Sequence, residues 1–300
     1  MTSIVLTPPD LTIDAEPAPP PGRRLRIGGR EHKALFCRTL LDTFNPYKPA
    51  VIDWPKLDDD ARRRLTSLPI WDIAVQTEGR AGKNVSTYAK LVGDPLLKKA
   101  VELNAFEEQR HKVVLSNLVQ AYGIELSPEP EYVIPKDPEW AFMVTGFSEC
   151  IDSFFAFGLF EVARRSGYFP EELVDTFEPV IHEEGRHILF YVNWVAWHRR
   201  HMPWWRRPWF ELKVMAVWLF LAWERIGIAK DVGHGSQDNN FTVTGAASVG
   251  NDVDVRELLD ACLAENDRRL GIYDARLLRP TFVPRLVRFA RRFLKKRSAA

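Results

Sequence analysis

The sequence has few cysteines and no strong excess of charge of either sign. Its three cysteines, Cys37, Cys150 and Cys262, are widely spaced, so they form neither a disulfide framework nor a cysteine zinc site. A reducing, cytoplasmic location is expected for such a chain. The formal net charge is +1, whereas nucleic-acid-binding domains are usually strongly basic. We therefore expect no disulfides and no nucleic-acid partner.

Signal-peptide and membrane-spanning patterns are missing as well. The N-terminus has neither the basic start nor the apolar core of a signal peptide. The apolar run Val214–Trp223 is ten residues long and lies between Lys213 and Glu224, whereas crossing a bilayer takes about 20 residues. Residues 7–22 are rich in proline, and we predict a disordered tail over residues 1–25.

No stretch alternates apolar and polar residues as β-strands do, and the periodicity throughout is helical. We predict an all-α fold in which a four-helix bundle occupies residues 69–201. A helical extension over residues 26–68 precedes the bundle. A second one, with a basic tail, follows over residues 202–300.

Glycine and proline mark the ends of the four long helices. Gly93-Asp94-Pro95 ends one helix and begins the next, with Asp94 as N-cap and Pro95 in the first turn. Gly123 and Gly167 each stop a helix. Pro179 predicts a kink in the last one. The four predicted helices span residues 69–92, 95–122, 139–166 and 170–201.

The connection between the second and third helices is long enough to run the whole length of the bundle. Residues 124–138 contain four prolines and no helical pattern, and an extended chain of this length reaches up to ~50 Å. The second helix is about 42 Å long. The two middle helices can therefore run parallel, which gives two short-linked hairpins joined by a crossover.

One motif, Glu-Glu-x-Arg-His, occurs twice, at residues 107–111 and 183–187. A Glu and a His three positions apart project from the same face of a helix. Glu108 with His111, and Glu184 with His187, can therefore each bind one metal ion. The simpler alternative is that both motifs are exposed clusters that make ion pairs along a helix face.

The depth of each motif in the bundle identifies two further glutamates. Glu108 lies about 14 residues after the first hairpin turn and Glu78 about as far before it, whereas Asp72 lies about 9 Å deeper. In the second hairpin, Glu149 lies at about the same height along the bundle as Glu184, whereas Glu161 lies more than about 12 Å from that height.

A six-residue metal site follows from this matching: Glu78, Glu108, His111, Glu149, Glu184 and His187. Carboxylates can bridge two metal ions, and imidazole suits iron. Glu107 and Glu183 are positioned to accept hydrogen bonds from ligand histidines on a neighbouring helix, with Arg110 and Arg186 balancing their charge. Such partners fix the histidine tautomer.

This set of residues resembles the ferritin-like di-iron carboxylate superfamily, over roughly residues 68–200. The resemblance implies a ferritin-like four-helix bundle that holds two iron ions, with a manganese–iron pair as the alternative. It also implies redox chemistry with O2, but it does not name a substrate.

Additional features favour an oxygenase within that superfamily. The chain extends well beyond the bundle at both ends, the third helix is rich in phenylalanine, and a rubredoxin-like Cys-x-x-Cys motif is absent. Ser153, one turn after Glu149, either delivers protons or is a small packing residue.

We therefore expect a non-haem di-iron oxidoreductase that activates O2 and oxidises an organic, apolar substrate by hydroxylation, desaturation or a related step. A ferredoxin or flavin reductase would supply electrons. The alternatives are a ferroxidase or peroxide-reducing iron-handling protein and a non-catalytic helical protein.

The C-terminal region leaves two interpretations open. Residues 198–209 combine arginine, histidine and tryptophan, and the segment Arg279–Arg297 interleaves Arg and Lys with apolar residues. These helices either pack on the bundle or contact a membrane surface, which would place the protein at the inner face of the membrane. A homodimer is a further option.

Overall fold

The computed structural model describes residues 6–12, 16–231 and 254–294. Within these ranges the chain forms ten α-helices and no β-strand, so the predicted all-α class is confirmed. The helices are α1 (Arg30–Asp42), α2 (Asp59–Thr66), α3 (Trp71–Ala89), α4 (Pro95–Tyr122), α5 (Pro138–Ser166), α6 (Glu171–Thr176), α7 (Glu178–His201), α8 (Arg207–Asp231), α9 (Val255–Gly271) and α10 (Phe282–Ala290).

Local sequence signals set the ends of the long helices. The Asp94 carboxylate accepts a hydrogen bond of 3.0 Å from the backbone N–H of Leu97 at the start of α4. Asp137 caps α5 in the same way. Gly123 and Gly167 end α4 and α5 in the left-handed region, with φ of 69° and 63°, which only glycine adopts without strain.

The bundle consists of α3, α4, α5 and α7, arranged as a closed ring in the order α3–α4–α7–α5. Residue contacts give the directions: Asn104 meets Tyr191, Glu107 meets His187 and His111 meets Glu183. Numbers rise along α4 while they fall along α7, so this pair is antiparallel. Contacts between the other neighbouring helices show the same antiparallel order. The pairs are Tyr88–Phe142 and Asn84–Thr145 between α3 and α5, Gly146–Tyr191 and Ser153–Glu184 between α5 and α7, and Gly82–Gln109 and Glu78–His111 between α3 and α4.

Helices α4 and α5 are both antiparallel to α3 and therefore run parallel to each other. The connection between them, residues 123–137, contains no helix or strand and returns along the bundle. Its Tyr132 packs against α3 at Gly79, where an added Cβ would collide with the tyrosine ring. The crossover is thus fastened to α3 next to Glu78.

The sequence predicted one kinked helix from Pro170 to His201, but the structure has two helices that meet at Phe177. The Phe177 N–H donates to the Val174 carbonyl and its own carbonyl accepts from Ile181, so this residue ends α6 and starts α7. Pro179 lies in the first turn of α7, where its missing N–H leaves no helical hydrogen bond unmade. The predicted kink is therefore a complete break.

Helices outside the bundle pack directly on it. Helix α1 lies across α4 and α7, and α8, α9 and α10 pack against α5. The predicted disordered tail lies partly outside the described residues (1–5 and 13–15), and its disorder stays a prediction. Its described part contacts the fold, since Arg276 donates to the carbonyls of Pro19 and Pro20.

Among the described residues, one helix, α5, is long and apolar enough to cross a membrane. Its most apolar window is 61% buried inside the protein, and the helix carries Glu149. Packing in the bundle core accounts for its composition.

Helices α5 and α9 approach closely at Gly158. A Cβ added there would lie 2.7 Å from the backbone nitrogen of Cys262, a separation that no real side chain tolerates without movement. At Gly185, in α7, the nearest atom to an added Cβ is a Leu270 methyl group at 3.7 Å, an ordinary contact. Close packing therefore requires glycine at Gly158 and not at Gly185.

We expect Gly158→Ala to lower the free energy of unfolding by about 1–3 kcal/mol, because α9 must shift away from α5. Gly185→Ala is the control, and it should be neutral or stabilising by up to about 1 kcal/mol because alanine favours the helix. Urea unfolding of both variants measures the difference. Equal effects would contradict the close contact.

Candidate metal centre

The six residues of the predicted metal site come together in the middle of the bundle. Two groups of side chains have potential ligand atoms that all lie within 4.8 Å of one another. Glu108 belongs to both groups, so a single carboxylate links them. Such an arrangement could hold metal ions that share a carboxylate. The first group contains Glu78, Glu108, His111 and Glu184, and the second contains Glu108, Glu149 and His187.

Both Glu-Glu-x-Arg-His motifs are buried, so the alternative of exposed clusters is wrong. The side chains of Glu107, Glu183, His111 and His187 have no exposed surface, and Arg110 is 1% exposed. Charged groups are almost never fully buried unless they are paired. The partners of these side chains therefore determine how the site is held together.

The two motifs pair with each other across α4 and α7. Glu183 accepts hydrogen bonds from both Arg110 (2.6 Å) and His111 (Nε2, 2.8 Å). In the reciprocal arrangement Glu107 accepts from Arg186 (2.6 Å) and His187 (Nε2, 2.8 Å). Both hydrogen bonds between histidine and glutamate have the partners that the sequence predicted.

Backbone carbonyls of the N-terminal region complete the pairing of the two arginines. Arg186 donates to the carbonyl of Leu40, near the end of α1, at 2.9 Å. Arg110 donates to the carbonyl of Asn45 at 2.7 Å, and its guanidinium lies 4.0 Å from the centre of the Tyr47 ring. The Tyr47 hydroxyl also reaches Glu183 at 3.4 Å. Residues 40–47 therefore close the outer side of the site.

The hydrogen bonds at Nε2 leave Nδ1 of each histidine facing the carboxylate cluster. His111 Nδ1 lies 3.1 Å from Glu184 Oε1, and His187 Nδ1 lies 2.9 Å from Glu108 Oε1. Despite these distances, neither Nδ1 has a hydrogen bond of acceptable geometry, and both buried oxygens of Glu149 lack a partner. Buried polar atoms without partners are rare and unfavourable.

A bound cation would satisfy these atoms, and the residues present fit one. Carboxylate and imidazole together form a mixed oxygen and nitrogen set of the kind that binds iron, manganese or zinc. The burial of the set and its unpaired donor atoms are the observations that favour a metal over a network of ion pairs.

In the absence of metal, burial and repulsion between carboxylates raise the pKa values of two glutamates in the cluster. Burial raises the pKa of Glu78 to about 8, against the opposing effect of His111. Burial and the charges of Glu108 and Glu184 raise the pKa of Glu149 well above its usual value.

The pKa values of both histidines are raised, which favours the charged ring. Burial alone would lower the pKa of His187, but the charge of Glu108 and the hydrogen bond to Glu107 raise it to about 10. The pKa of His111 is raised well above its usual value in the same way, because the hydrogen bond to Glu183 and the nearby Glu184 carboxylate outweigh its burial. At neutral pH the metal-free cluster therefore holds protons at the positions that would bind a cation.

Asp72 and Glu161, which lie at other heights along the bundle, have partners outside the cluster. Asp72 accepts a hydrogen bond of 2.7 Å from the backbone N–H of Ser127, in the crossover. Glu161 pairs with Arg165 one turn along α5. Neither belongs to the cluster.

Sequence reasoning missed Asn104 and Tyr191. The Tyr191 hydroxyl donates to Asn104 Oδ1 at 3.1 Å, and the Asn104 amide reaches Glu108 Oε1 at 3.5 Å. Asn104 lies four residues before Glu108 and Tyr191 four residues after His187, so each faces the cluster from one turn away. The spacing of four residues from a motif was the sequence signal that could have identified both residues. Leu40 and Asn45 contribute only backbone atoms, which no sequence motif marks.

A cavity of about 310 Å³ opens onto the cluster. Glu78, Glu108, His111, Glu149 and Glu184 line it between its two ends. Ser153 is also in its wall, with its hydroxyl 3.3 Å from Glu184 Oε2. One end is formed by apolar side chains that include Leu65, Leu68, Trp71, Phe160, Leu173 and Phe177, and the other end carries polar groups that include Arg80, Asn84, Ser148 and Glu224.

Comparison with known proteins adds nothing to this geometry: no protein-family model, no curated protein and no solved structure matches the chain.

We expect Glu107→Ala to lower the free energy of unfolding of the metal-free protein by about 3–5 kcal/mol, because it removes the only carboxylate that hydrogen-bonds the buried Arg186 guanidinium in the described residues and leaves Glu183 3.7 Å away. Glu102→Ala is the control on the same helix, since Glu102 is half-exposed and forms a single long ion pair, 3.9 Å from Lys98. It should change stability by no more than about 0.5 kcal/mol. Urea unfolding in the presence of a chelator measures both. Similar losses would show that the reciprocal pairs contribute little.

We also expect metal binding to release protons, because a ligand nitrogen or carboxylate must be deprotonated. Glu78 and His187, with pKa values of about 8 and 10, are both protonated at pH 7 without metal. Uptake should therefore release about two protons or more, and affinity should increase as the pH rises from about 6 to 8. Calorimetric titration with Mn²⁺ in buffers of different ionisation enthalpy counts the protons. Uptake without proton release would contradict the assignment.

Proposed function

We propose that the protein is a non-haem di-iron oxidoreductase with a ferritin-like bundle, and that it uses O2 to oxidise an apolar organic substrate. The topology supports the ferritin-like assignment, because two antiparallel hairpins joined by a long crossover are its defining layout. Six ligand candidates at one level of the four helices, three of them buried and three half-buried, support the metal pair.

The geometry suggests which residues would hold each ion. Glu78 and His111 would bind one iron, and Glu149 and His187 the other. Glu108 belongs to both groups of ligand atoms, and Glu184 presents one oxygen 3.1 Å from His111 Nδ1 and the other 4.0 Å from His187 Nδ1. These two carboxylates would therefore be available as ligands to either ion.

When bound, the metal pair would supply the reduction of O2, and the protein would supply ligands, charge balance and a dry chamber. A manganese–iron pair is the alternative composition. Reaction with O2 needs external electrons, so a ferredoxin or a flavin reductase is proposed as the electron donor.

One observation favours oxidation of an organic substrate over iron handling, and it is the apolar cavity at the cluster. A volume of about 310 Å³ is at the lower end of the range of small-molecule sites. The apolar end, beside Trp71 and Phe160, would exclude water and hold an apolar group next to the ligand carboxylates. Iron entry alone needs only a narrow polar path.

Ser153 is the proposed proton-delivering residue at this cavity. Its hydroxyl donates to Glu184 at 3.3 Å and lies in the cavity wall. A hydroxyl can accept and donate a proton in the same position. It could thus move protons between the cavity and the Glu184 carboxylate.

The first test is metal content. We expect about two irons per chain after anaerobic loading, and loss of most of this iron in Glu108→Ala and His187→Ala because each removes a proposed ligand. Glu102→Ala, on the outer side of α4, is the matched control. A wild-type protein that takes up neither iron nor manganese would refute the proposal.

A second measurement separates an oxygenase from a ferroxidase. An oxygenase should consume O2 over repeated turnovers when a reductant and an apolar compound are present, whereas a ferroxidase reacts once for each loaded iron pair. Ala156→Phe should fill the cavity beside Ser153 and abolish the stimulation by the apolar compound while the iron content stays unchanged. Unaltered stimulation in this variant would remove the cavity from the proposal.

A further inference from the structure

Helices α8 and α10 expose large apolar side chains to solvent. On α8 and the turn before it, these are Trp204, Trp205, Trp209, Leu212, Met215, Leu219, Phe220 and Trp223, and on α10 and the turn after it Phe282, Leu286, Phe289 and Phe293. We call these twelve residues the apolar face. Their exposed fractions range from 36% to 75%.

Helix α8 is apolar on its outer side as well as on its inner side. Its inner side buries Phe210, Val217 and Leu221 in the core. From Pro208 to Trp223, every exposed residue is apolar. A helix on the surface of a soluble protein normally turns charged residues outward, and a helix that is apolar all round is buried against something.

The charged residues of this stretch do not interrupt the outer side. Glu211 pairs with Arg199 at 2.6 Å, and Lys213 pairs with Glu139 at 2.8 Å. Both are partly buried. The exposed side of α8 is thus continuous from Trp209 to Trp223.

Helix α10 has a second exposed stripe. Phe282, Leu286 and Phe289 recur at intervals of four and three residues, so they lie on one side of the helix. Val283 and Val287, on another side, are buried against the protein. The Phe282 ring lies 4.8 Å from the Trp218 ring of α8, which makes the two stripes neighbours.

Basic residues border the apolar face. Arg206 and Arg207 follow the exposed Trp204-Trp205 pair. Arg285 and Arg288 are exposed on α10, where Arg288 also pairs with Asp267 at 3.3 Å, and Arg292 is exposed in the turn after α10. No acidic residue follows Asp274 in the sequence. Tryptophan with arginine at the edge of an apolar surface is typical of a protein that lies in the interface between water and a bilayer.

We propose that the apolar face binds the surface of a lipid bilayer that contains anionic lipids, with α8 and α10 lying in the interface. The apolar side chains enter the region of the acyl chains, and the arginines contact the anionic headgroups. The ten-residue apolar run of α8 is too short to cross. This inference does not depend on the metal or on the reaction.

A second copy of the chain is the competing occupant, and charge argues against it. In a two-fold dimer the same surface of both copies meets, so the basic borders of the two copies would be brought together. Like charges at an interface are unfavourable. Anionic headgroups have the opposite sign and complement the same border.

Co-sedimentation of the full chain with lipid vesicles tests the proposal. We expect binding to phosphatidylcholine vesicles that contain about 30% phosphatidylglycerol, weaker binding to phosphatidylcholine alone, and weaker binding at high salt because salt screens the attraction. Leu286→Glu with Phe289→Glu should reduce binding at least about tenfold, because two apolar contacts are lost and two negative charges face the lipid.

Val133→Glu with Ile134→Glu is the matched control, since both residues are exposed on the crossover, at 82% and 63%. It should bind vesicles as the wild type does. All four positions are exposed, so helical content by circular dichroism should remain that of the wild type in both variants.

Two results would overturn the proposal. One is a wild-type protein that stays in the supernatant with both kinds of vesicle. The other is a dimer in analytical ultracentrifugation that Leu286→Glu with Phe289→Glu converts to a monomer without any effect on vesicle binding, which would assign the face to a second copy.

Discussion

The reciprocal pairing of Glu107 and Glu183 with the Arg and His of the opposite motif is the interaction on which the rest of the structure depends. Each carboxylate binds an arginine and a histidine of the neighbouring helix, so two buried glutamates and two buried arginines neutralise one another. The same bonds hold both histidine rings with Nδ1 toward the carboxylate cluster. They also fix the register of α4 against α7, because a shift of one residue would separate all four bonds at once.

The inner cluster is built differently, since its charges are not balanced. Four carboxylates face two histidines, and protons held at raised pKa values offset the repulsion when no cation is present. The protein thus maintains a group of polar atoms that do not satisfy one another, next to a cavity that its own side chains do not fill. Both features are unfavourable for stability, and both are what a metal site with room for a substrate requires.

Much of the fold and the cluster could be predicted from the sequence, because the relevant rules are local or geometrically regular. The constant rise of an α-helix placed Glu78 and Glu149 at the level of the two motifs, and glycine and proline set the ends of α4 and α5. The break at Phe177 was not predicted, since Pro179 fits a kinked helix as well as a new one. The roles of Leu40 and Asn45 could not be predicted at all, because backbone carbonyls are the same at every residue.

Those carbonyls have a consequence for modularity. The bundle in residues 69–201 contains every candidate ligand, yet two of its buried arginines also donate to backbone carbonyls outside it, at Leu40 and Asn45. An excised bundle would leave both guanidiniums facing water beside the carboxylates they neutralise. The smallest unit that could be transplanted as an intact site therefore begins at α1, and the boundary of the metal-binding unit is set by its outermost hydrogen bonds and not by its helices.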